Sequence, residues 1–397
     1  MTDPHPLDTA IFGGGIAGLW LLDRLRRQGY RAALFESDRL GAGQTRYSQG
    51  IIHGGTKYAL TGKVSEASRM VAGMPARWRA CLAGEGDVDL RAARLLSDHQ
   101  YLWSTRDIAS RLAGFFASRM MRSRMAPLSA ADYPALFRDP AFRGQVYRLD
   151  EPVLDVASLL AALVEPHREA LARIDPDALE LEAGGPCRIR LPDRTLTARR
   201  LVFTAGGGNR ALLAKLGREE PPMQLRPLQM VALRGADLPP LYAHCLGASS
   251  KPRLTITSHR DASGQPVWYL GGQLAEEGVG RSPGEQIAAA RAELETLFPW
   301  HDFGACAWIT LPIDRAEVRA GGTLPDDAFV AEQGGVITVW PTKLALAPVA
   351  ADRVLEHLAA AGIRPLPGGD AGPVDALAGL PRPEIAPLPW QEEERWN

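Results

Sequence analysis

The chain has 397 residues, 46% of them hydrophobic, enough for one large or two intergrown α/β domains around a substantial core. Its 45 basic and 46 acidic residues leave a formal charge of −1 with no long block of either sign, which argues against a nucleic-acid binder held by phosphate neutralisation. The four cysteines, Cys81, Cys187, Cys245 and Cys306, stand far apart in no CxxC or Cys/His spacing, so free thiols of a reducing cytosol are expected, and no metal site.

The N-terminal MTDPHPLDTA is polar and acidic, unlike a signal peptide, and no apolar run approaches the length that spans a bilayer. The expectation is a cytoplasmic protein. In "DTAIFGGGIAGLWLLDRLRRQGYRAALFES", "TAIF" reads as a short strand, "GIAGLWLLDRLRRQG" as a helix stopped at Gly29, and "RAALFE" as a second strand. Gly13, Gly15 and Gly18 stand at the turn in GxGxxG spacing, and Glu36 ends the second strand. Gly13 permits a tight turn, Gly15 lets backbone approach a pyrophosphate, and Gly18 lets helix and strand pack closely. The helix N-terminus offers N–H groups to phosphates, and an acid at this distance accepts ribose hydroxyls. A dinucleotide site follows, with Gly13, Gly15, Ile16, Ala17, Gly18, Glu36 and Ser37 as its candidate contacts.

"YSQGIIHGGTKYALTG" (47–62) mixes β-branched residues with glycines, His53, Lys57 and Tyr58. Residues 64–95 carry helical spacing, and "HQYLWS" reads as a strand. The segment 107–125 mixes two phenylalanines and three methionines with four arginines; it is expected to be a packed helix, with attachment to a membrane surface the less favoured alternative. Then come a strand, a turn and a long helix in "GQVYRLDEPVLDVASLLAALVEPHREAL", with Asp155 or Ser158 near its N-cap. "LVFTAGGG" runs an apolar strand into Gly206–Gly208, a second place for backbone to touch a large ligand. Residues 223–275 alternate as antiparallel strands. Ser282, Pro283 and Glu285 open a helix through a capping box, and "CAWITLPIDRAEVR" is strand-like. A last strand, turn and helix, "GGVITVWPTKLALAPVAADRVLEHLAAAG", precede a Pro/Gly/Ala-rich tail that is expected to be loose or to strap the surface. Among 40 arginines there are five lysines, Lys57, Lys63, Lys215, Lys251 and Lys343, so each lysine invites scrutiny.

In this order, the fingerprint with Glu36, the "LVFTAGGG" segment, the helix ending "LFP" and the final strand–turn–helix resemble the FAD-dependent oxidoreductases built like D-amino-acid oxidase. That group includes glycine and sarcosine oxidases, flavin-dependent glycerol-3-phosphate dehydrogenase and L-2-hydroxyglutarate dehydrogenase. "IIHGGTKY" is similar to the "LIHGGLRY" of the glycerol-phosphate enzymes, and "VWPTKLALAPVAADRV" to their "GGKWTTYRxMAE", with Lys343 on the motif lysine. "GIIHGG" equally resembles the "SGVIHAG" of the hydroxyglutarate enzymes. The chain departs from the group's WxGxRP segment, where "AWITLPIDRAE" stands with Arg315 as the nearest counterpart.

The resemblance implies an α/β fold: a Rossmann-type FAD-binding domain assembled from residues 1–74, 149–222 and 321–364, and an inserted α+β substrate domain on an antiparallel sheet, 75–148 and 223–320, with 365–397 as tail. It implies FAD as cofactor and hydride transfer to flavin N5 from a CH–OH or CH–NH bond of a small anionic substrate. Gln44, Thr45, Ser48, Gly50, Ile51, Ile174, Ala205, Gly206, Lys343 and Leu344 become further flavin candidates, the glycines because a flat ring needs close backbone approach. His53 is a candidate general base, since a histidine with a pKa of ~6.5 suits proton removal; covalent attachment of the flavin and a merely structural histidine stay open. Lys343 and the helix N-terminus behind it are offered to the N1–C2=O edge of the flavin. Lys57, Tyr58, Arg315 and Tyr269 are candidate substrate contacts, with salt bridges or core packing as equal alternatives. Oxygen, a quinone or a carrier protein all fit as electron acceptor. A flavin-dependent hydroxylase and a flavoprotein without its own turnover are the competing functions.

Overall fold

The computed structural model describes residues 7–55, 70–105, 125–247, 251–319, 327–367 and 374–396. The chain opens with β1 (Leu7–Phe12), α1 (Ile16–Arg27) and β2 (Ala32–Glu36), followed by α2 (Met74–Ala83), β3 (Leu95–Ser97) and β4 (Gln100–Ser104). Next come β5 (Met125–Pro127), β6 (Gln145–Leu149), β7 (Val153–Leu154) and α3 (Val156–Val164). β8 (Leu171–Arg173), β9 (Glu180–Glu182), β10 (Cys187–Leu191) and β11 (Arg194–Phe203) lead into α4 (Asn209–Lys215). Then follow β12 (Met223–Arg234), β13 (Ala243–Leu246), β14 (Pro252–Arg260), β15 (Pro266–Gly271), α5 (Gln273–Glu277), α6 (Pro283–Leu297) and β16 (Ala307–Val318). β17 (Phe329–Gln333), β18 (Val336–Trp340) and α7 (Ala347–Ala360) complete the elements used below.

The first sheet has the order β17-β18-β11-β1-β2-β8, with β10 and β9 added to β11. The pairs β18–β11, β11–β1, β1–β2 and β2–β8 are parallel. β1 is therefore central, and its two neighbours come from opposite ends of this half of the chain. The carboxyl ends of β1 and β11 open the crevice where such sheets bind ligands. The apolar run of β1, buried at all six positions, suits a strand covered on both faces.

The second sheet, β16-β12-β15-β14-β13-β4-β6-β5, is antiparallel except where β13 meets β4. Alternation gives its two faces different work. Val231, Leu233, Leu254, Ile256, Trp268 and Leu270 pack with α6 and the aromatic group of Trp103, Phe137 and Phe298. The register Arg315↔Arg226, Ala232↔Tyr269↔Thr257 and Thr255↔His244 places these residues on the other face.

The start of α3 is fixed by Asp155, whose carboxylate accepts from the Ser158 N–H at 2.8 Å. The capping box at Ser282 and Glu285, with Pro283 at the first position of α6, is present. The helical spacing over 64–95 is realised more narrowly. α2 stops at Gly84, which turns the chain at φ +80°, and residues 85–94 are not helical; residues 64–69 lie outside the described residues. Of the segment 107–125, only its last residue is among those described. The tail straps the surface. Leu40 N–H donates to Glu384 O and Leu40 O accepts from Ala386 N–H, and Leu377, Leu388 and Trp390 are buried. Among the described residues no helix is long and apolar enough to cross a membrane.

Candidate active site

The crevice begins where β1 ends. Gly13 has φ +108°, and a Cβ there would lie 2.5 Å from the backbone of Ala205. The turns after β1 and β11 thus touch through bare backbone. Thr204 secures the contact, its N–H bonding Phe12 O at 2.8 Å and its hydroxyl donating to Gly13 O at 2.8 Å. A Cβ on Gly18 would come within 2.1 Å of Gly13 O, which is the close helix–strand packing expected of that glycine. Gly15 is the N-cap of α1 in an extended conformation, with no side-chain cap. Ile16 N–H donates to Thr45 Oγ1 at 3.0 Å, and Ala17 lies buried in the first turn.

Glu36 is half-buried at the end of β2, accepting from Gly14 N–H at 2.6 Å and from the N–H groups of Ser37 and Asp38. Ile174, buried beyond β8, donates its N–H to Glu36 O at 2.9 Å and so borders the same end. On the β11 side, Ala205 N–H is held by Asn209 Oδ1 at 2.7 Å, and Gly206 has φ +58°. A Cβ on Gly206 would be 3.3 Å from Gln44 Nε2, so the 44–48 turn meets the β11 turn here. These groups form a groove of backbone N–H, glycine and one acid, which fits the pyrophosphate and ribose of FAD.

From Thr45 the chain leaves the helix N-terminus, and eight residues later it reaches His53, a reach of at most ~29 Å. Ser48 Oγ accepts from Gly50 N–H at 3.2 Å. Gly50 has φ +72°, and its missing side chain is required by protein: a Cβ would lie 2.0 Å from Leu154 O. Ile51 pairs with Val153, and Ile52 N–H bonds Pro152 O. This contact requires a glycine at position 50 whether or not a flat ring lies beside it. Gln49, which the sequence did not single out, bonds Tyr269 O at 3.0 Å and lies 3.4 Å from Thr257 Oγ1. Tyr269 is fully buried and its hydroxyl donates to Tyr47 O at 3.0 Å. Burial raises its pKa. It braces the 47–49 segment from within the core, as the core-packing alternative expected.

His53 meets two residues that sequence reasoning missed. Its Nδ1 lies 3.3 Å from Glu151 Oε2, and its ring stacks 5.7 Å from that of His244. Glu151, in the turn between β6 and β7, is 4% exposed and accepts from Gly54 N–H at 2.8 Å. His244, on β13, is 7% exposed and shares a 2.9 Å hydrogen bond through Nδ1 with Thr255 Oγ1. Burial, reinforced by the charge of His53, pushes His244 down to about 4, so it is neutral at ordinary pH. Burial pushes the Glu151 carboxyl up, yet the hydrogen bond and charge of His53 outweigh it and hold the carboxyl below its ordinary value. Neither residue stands in a recognisable motif. The signals were a histidine inside the apolar run "YAHCL" and an acid before proline in "LDEPV".

Arg315, on β16 opposite Arg226, makes no hydrogen bond or ion pair among the described residues, and its Nε is buried. Burial lowers its pKa, and the charge of Arg226 lowers it further. Arg226 itself lies 3.5 Å from Glu317. Lys343 is half-buried and caps a single 3-10 turn, Leu344–Leu346, that precedes α7. Thr342 beside it has φ +61°, an uncommon conformation for a threonine. Lys57 and Tyr58 lie outside the described residues.

Comparison with known proteins settles the family. Residues 8–377 match the FAD dependent oxidoreductase family, DAO. The chain belongs to that family. It is 51% identical over 389 residues, 97% of each chain, to the Probable FAD-dependent oxidoreductase PA4991 of Pseudomonas aeruginosa. The crystal structure of that protein superposes with a TM-score of 0.83 over 99% of this chain and 100% of the other, at 46% identity. Glycine oxidase from Geobacillus kaustophilus shares the fold at 16% identity, with a TM-score of 0.66 over 91% of this chain and 99% of its own. Glycerol-3-phosphate dehydrogenase 1 of Mycobacterium tuberculosis is 26% identical over 57% of this chain and 45% of its own length. This DAO-family protein is an FAD-dependent oxidoreductase, with the mixed α/β fold of such enzymes.

Proposed function

We propose that the enzyme oxidises a CH–OH or CH–NH bond of a small anionic substrate, held between the 44–53 segment and the inner face of the antiparallel sheet. The observation that carries this proposal is the His53–Glu151 pair on the same side of the sheet as Arg315, which makes no hydrogen bond or ion pair among the described residues. Bound FAD supplies the hydride acceptor.

The chain's own residues do the rest. In the tautomer that donates from Nδ1 to Glu151, His53 keeps a lone pair on Nε2 to take the hydroxyl or ammonium proton. Glu151 fixes the ring and stabilises the imidazolium that results, as a buried carboxylate does for any base it orients. Among the described residues the Arg315 guanidinium makes no hydrogen bond or ion pair, with Glu276 and Glu317 acting on it only through their charge, and a substrate carboxylate or phosphate would supply a direct partner. Arg226 beside it adds to the positive potential. Lys343 and the start of α7 would supply positive charge to the edge of the flavin where negative charge develops.

The names of the neighbours point to two substrate classes, an amino acid for the oxidase and a polyol phosphate for the dehydrogenase. A screen of 2-hydroxy acids, glycerol phosphate and amino acids against the oxidised holoenzyme under anaerobic conditions tests the proposal. Bleaching of the flavin absorbance by one class supports it. Bleaching by NAD(P)H alone would make the protein a hydroxylase, and no bleaching by any reductant of these kinds would leave a flavoprotein without its own turnover.

A further inference from the structure

We infer that His53, Glu151 and His244 form a binding site for one divalent transition-metal ion of the zinc type, set into the wall of the substrate pocket. Among the described residues these three bring one imidazole nitrogen or carboxylate oxygen each within 4.8 Å of one another. Two imidazoles and a carboxylate are the donor set that suits zinc. At Zn–N and Zn–O bonds of about 2.0–2.2 Å, neighbouring donors of a tetrahedral ion are about 3.3–3.5 Å apart. His53 Nδ1 and Glu151 Oε2 already stand at 3.3 Å. A tilt of the His244 ring small enough to keep Thr255 Oγ1 on its Nδ1 closes the third side.

The supporting shell is also in place. His244 Nδ1 is engaged by Thr255 Oγ1, which orients the ring and leaves Nε2 as its donor. The second oxygen of Glu151 is engaged by Gly54 N–H, leaving Oε2 towards His53. Gln100, wholly buried, has its Nε2 3.4 Å from Glu151 Oε2 and its Oε1 without a partner. A half-turn of that amide would bring a further oxygen donor to the group. The His53 side chain is 42% exposed, which gives the ion an entry path and an open coordination position. The ion takes the seat of the proton that His53 and Glu151 share, so metal occupancy and proton abstraction exclude each other.

This inference does not depend on the proposed reaction, because calorimetric titration of the FAD-loaded protein with Zn²⁺ reads binding and not turnover. The expected result is one ion per chain, with affinity reduced at least tenfold in His244→Gln. Thr255→Val keeps all three donors and loosens only the ring; it is expected to weaken binding roughly tenfold, the low end for loss of such a supporting contact. Cys306→Ala, which removes the half-buried thiol, is expected to leave binding unchanged. Equal affinity in the wild type and in a folded His244→Gln or Thr255→Val protein, loss of the site in Cys306→Ala, or no stoichiometric heat would each overturn the inference.

Discussion

Between the Gly13–Ala205 crevice and the His53–Glu151–His244 cluster, the source of the candidate functional groups changes from backbone to side chain. At the crevice, glycine spacing, a helix N-terminus and one acid make a cradle, all but the β11 turn coming from residues 13–36. In the cluster, His53, Gln100, Glu151 and His244 come from four distant segments and meet only because the antiparallel sheet folds over the first segment. A cofactor shared by a whole family can be held by groups every residue carries. A substrate demands side chains of particular chemistry, and these can be drawn from anywhere in the fold.

The sharpest break of this contrast is at the crevice. Gly13→Ala combines a positive φ with a 2.5 Å approach to Ala205, a cost of roughly 2–6 kcal/mol in strain and overpacking. The purified variant is expected to be nearly colourless and to melt well below wild type, read from the ratio of flavin to protein absorbance and a thermal scan. A fully loaded variant would mean that the two turns can separate without releasing the cofactor.

At the other region, Arg315→Ala should leave FAD in place and raise KM for an anionic substrate about 10- to 100-fold, the loss expected of a charged hydrogen bond. An unchanged KM would move the anion site elsewhere, Lys57 being the next candidate to test.

Stability should also depend on pH through the inner face of the antiparallel sheet. Buried His259, beside Trp390, is pushed down to about 3, while the unfolded chain takes up this proton near an ordinary pH of ~6.5. Because only the unfolded state is protonated between those values, stability falls as pH drops below ~6.5, by roughly 1 kcal/mol or more per unit from this group. His259→Gln should flatten that slope in urea titrations at pH 4 and 6; an unchanged slope would remove His259 as the cause. Smaller still, Ser282→Ala should cost about 1 kcal/mol by loss of the α6 cap and leave flavin reduction untouched, since α6 lies on the far face of the sheet.

The legibility of the chain follows the same division. The β1-α1-β2 unit, the strand into Gly206, the capping box and the α7 helix were legible because each is fixed by neighbours in sequence. Helical spacing over 64–95 overreached because Gly84 ends α2 by a left-handed turn, and periodicity alone is blind to a single stop. Gly50 was legible as a special position, but the contact that requires it, with the Leu154 carbonyl, is one no local pattern announces. Glu151 and His244 left only a faint mark, an acid before proline and a histidine in an apolar run. Their chemistry arises from burial and from one another, across more than ninety residues of chain.

The most direct test of the account is anaerobic reduction of the flavin in His53→Ala by whichever substrate bleaches the wild type. The account predicts a variant that keeps bound FAD and is reduced about 10²–10⁴ times more slowly, the span of general-base catalysis. Glu151→Gln should show a smaller loss in the same direction. Reduction of His53→Ala at the wild-type rate would contradict the claim that this cluster is where the substrate proton is taken.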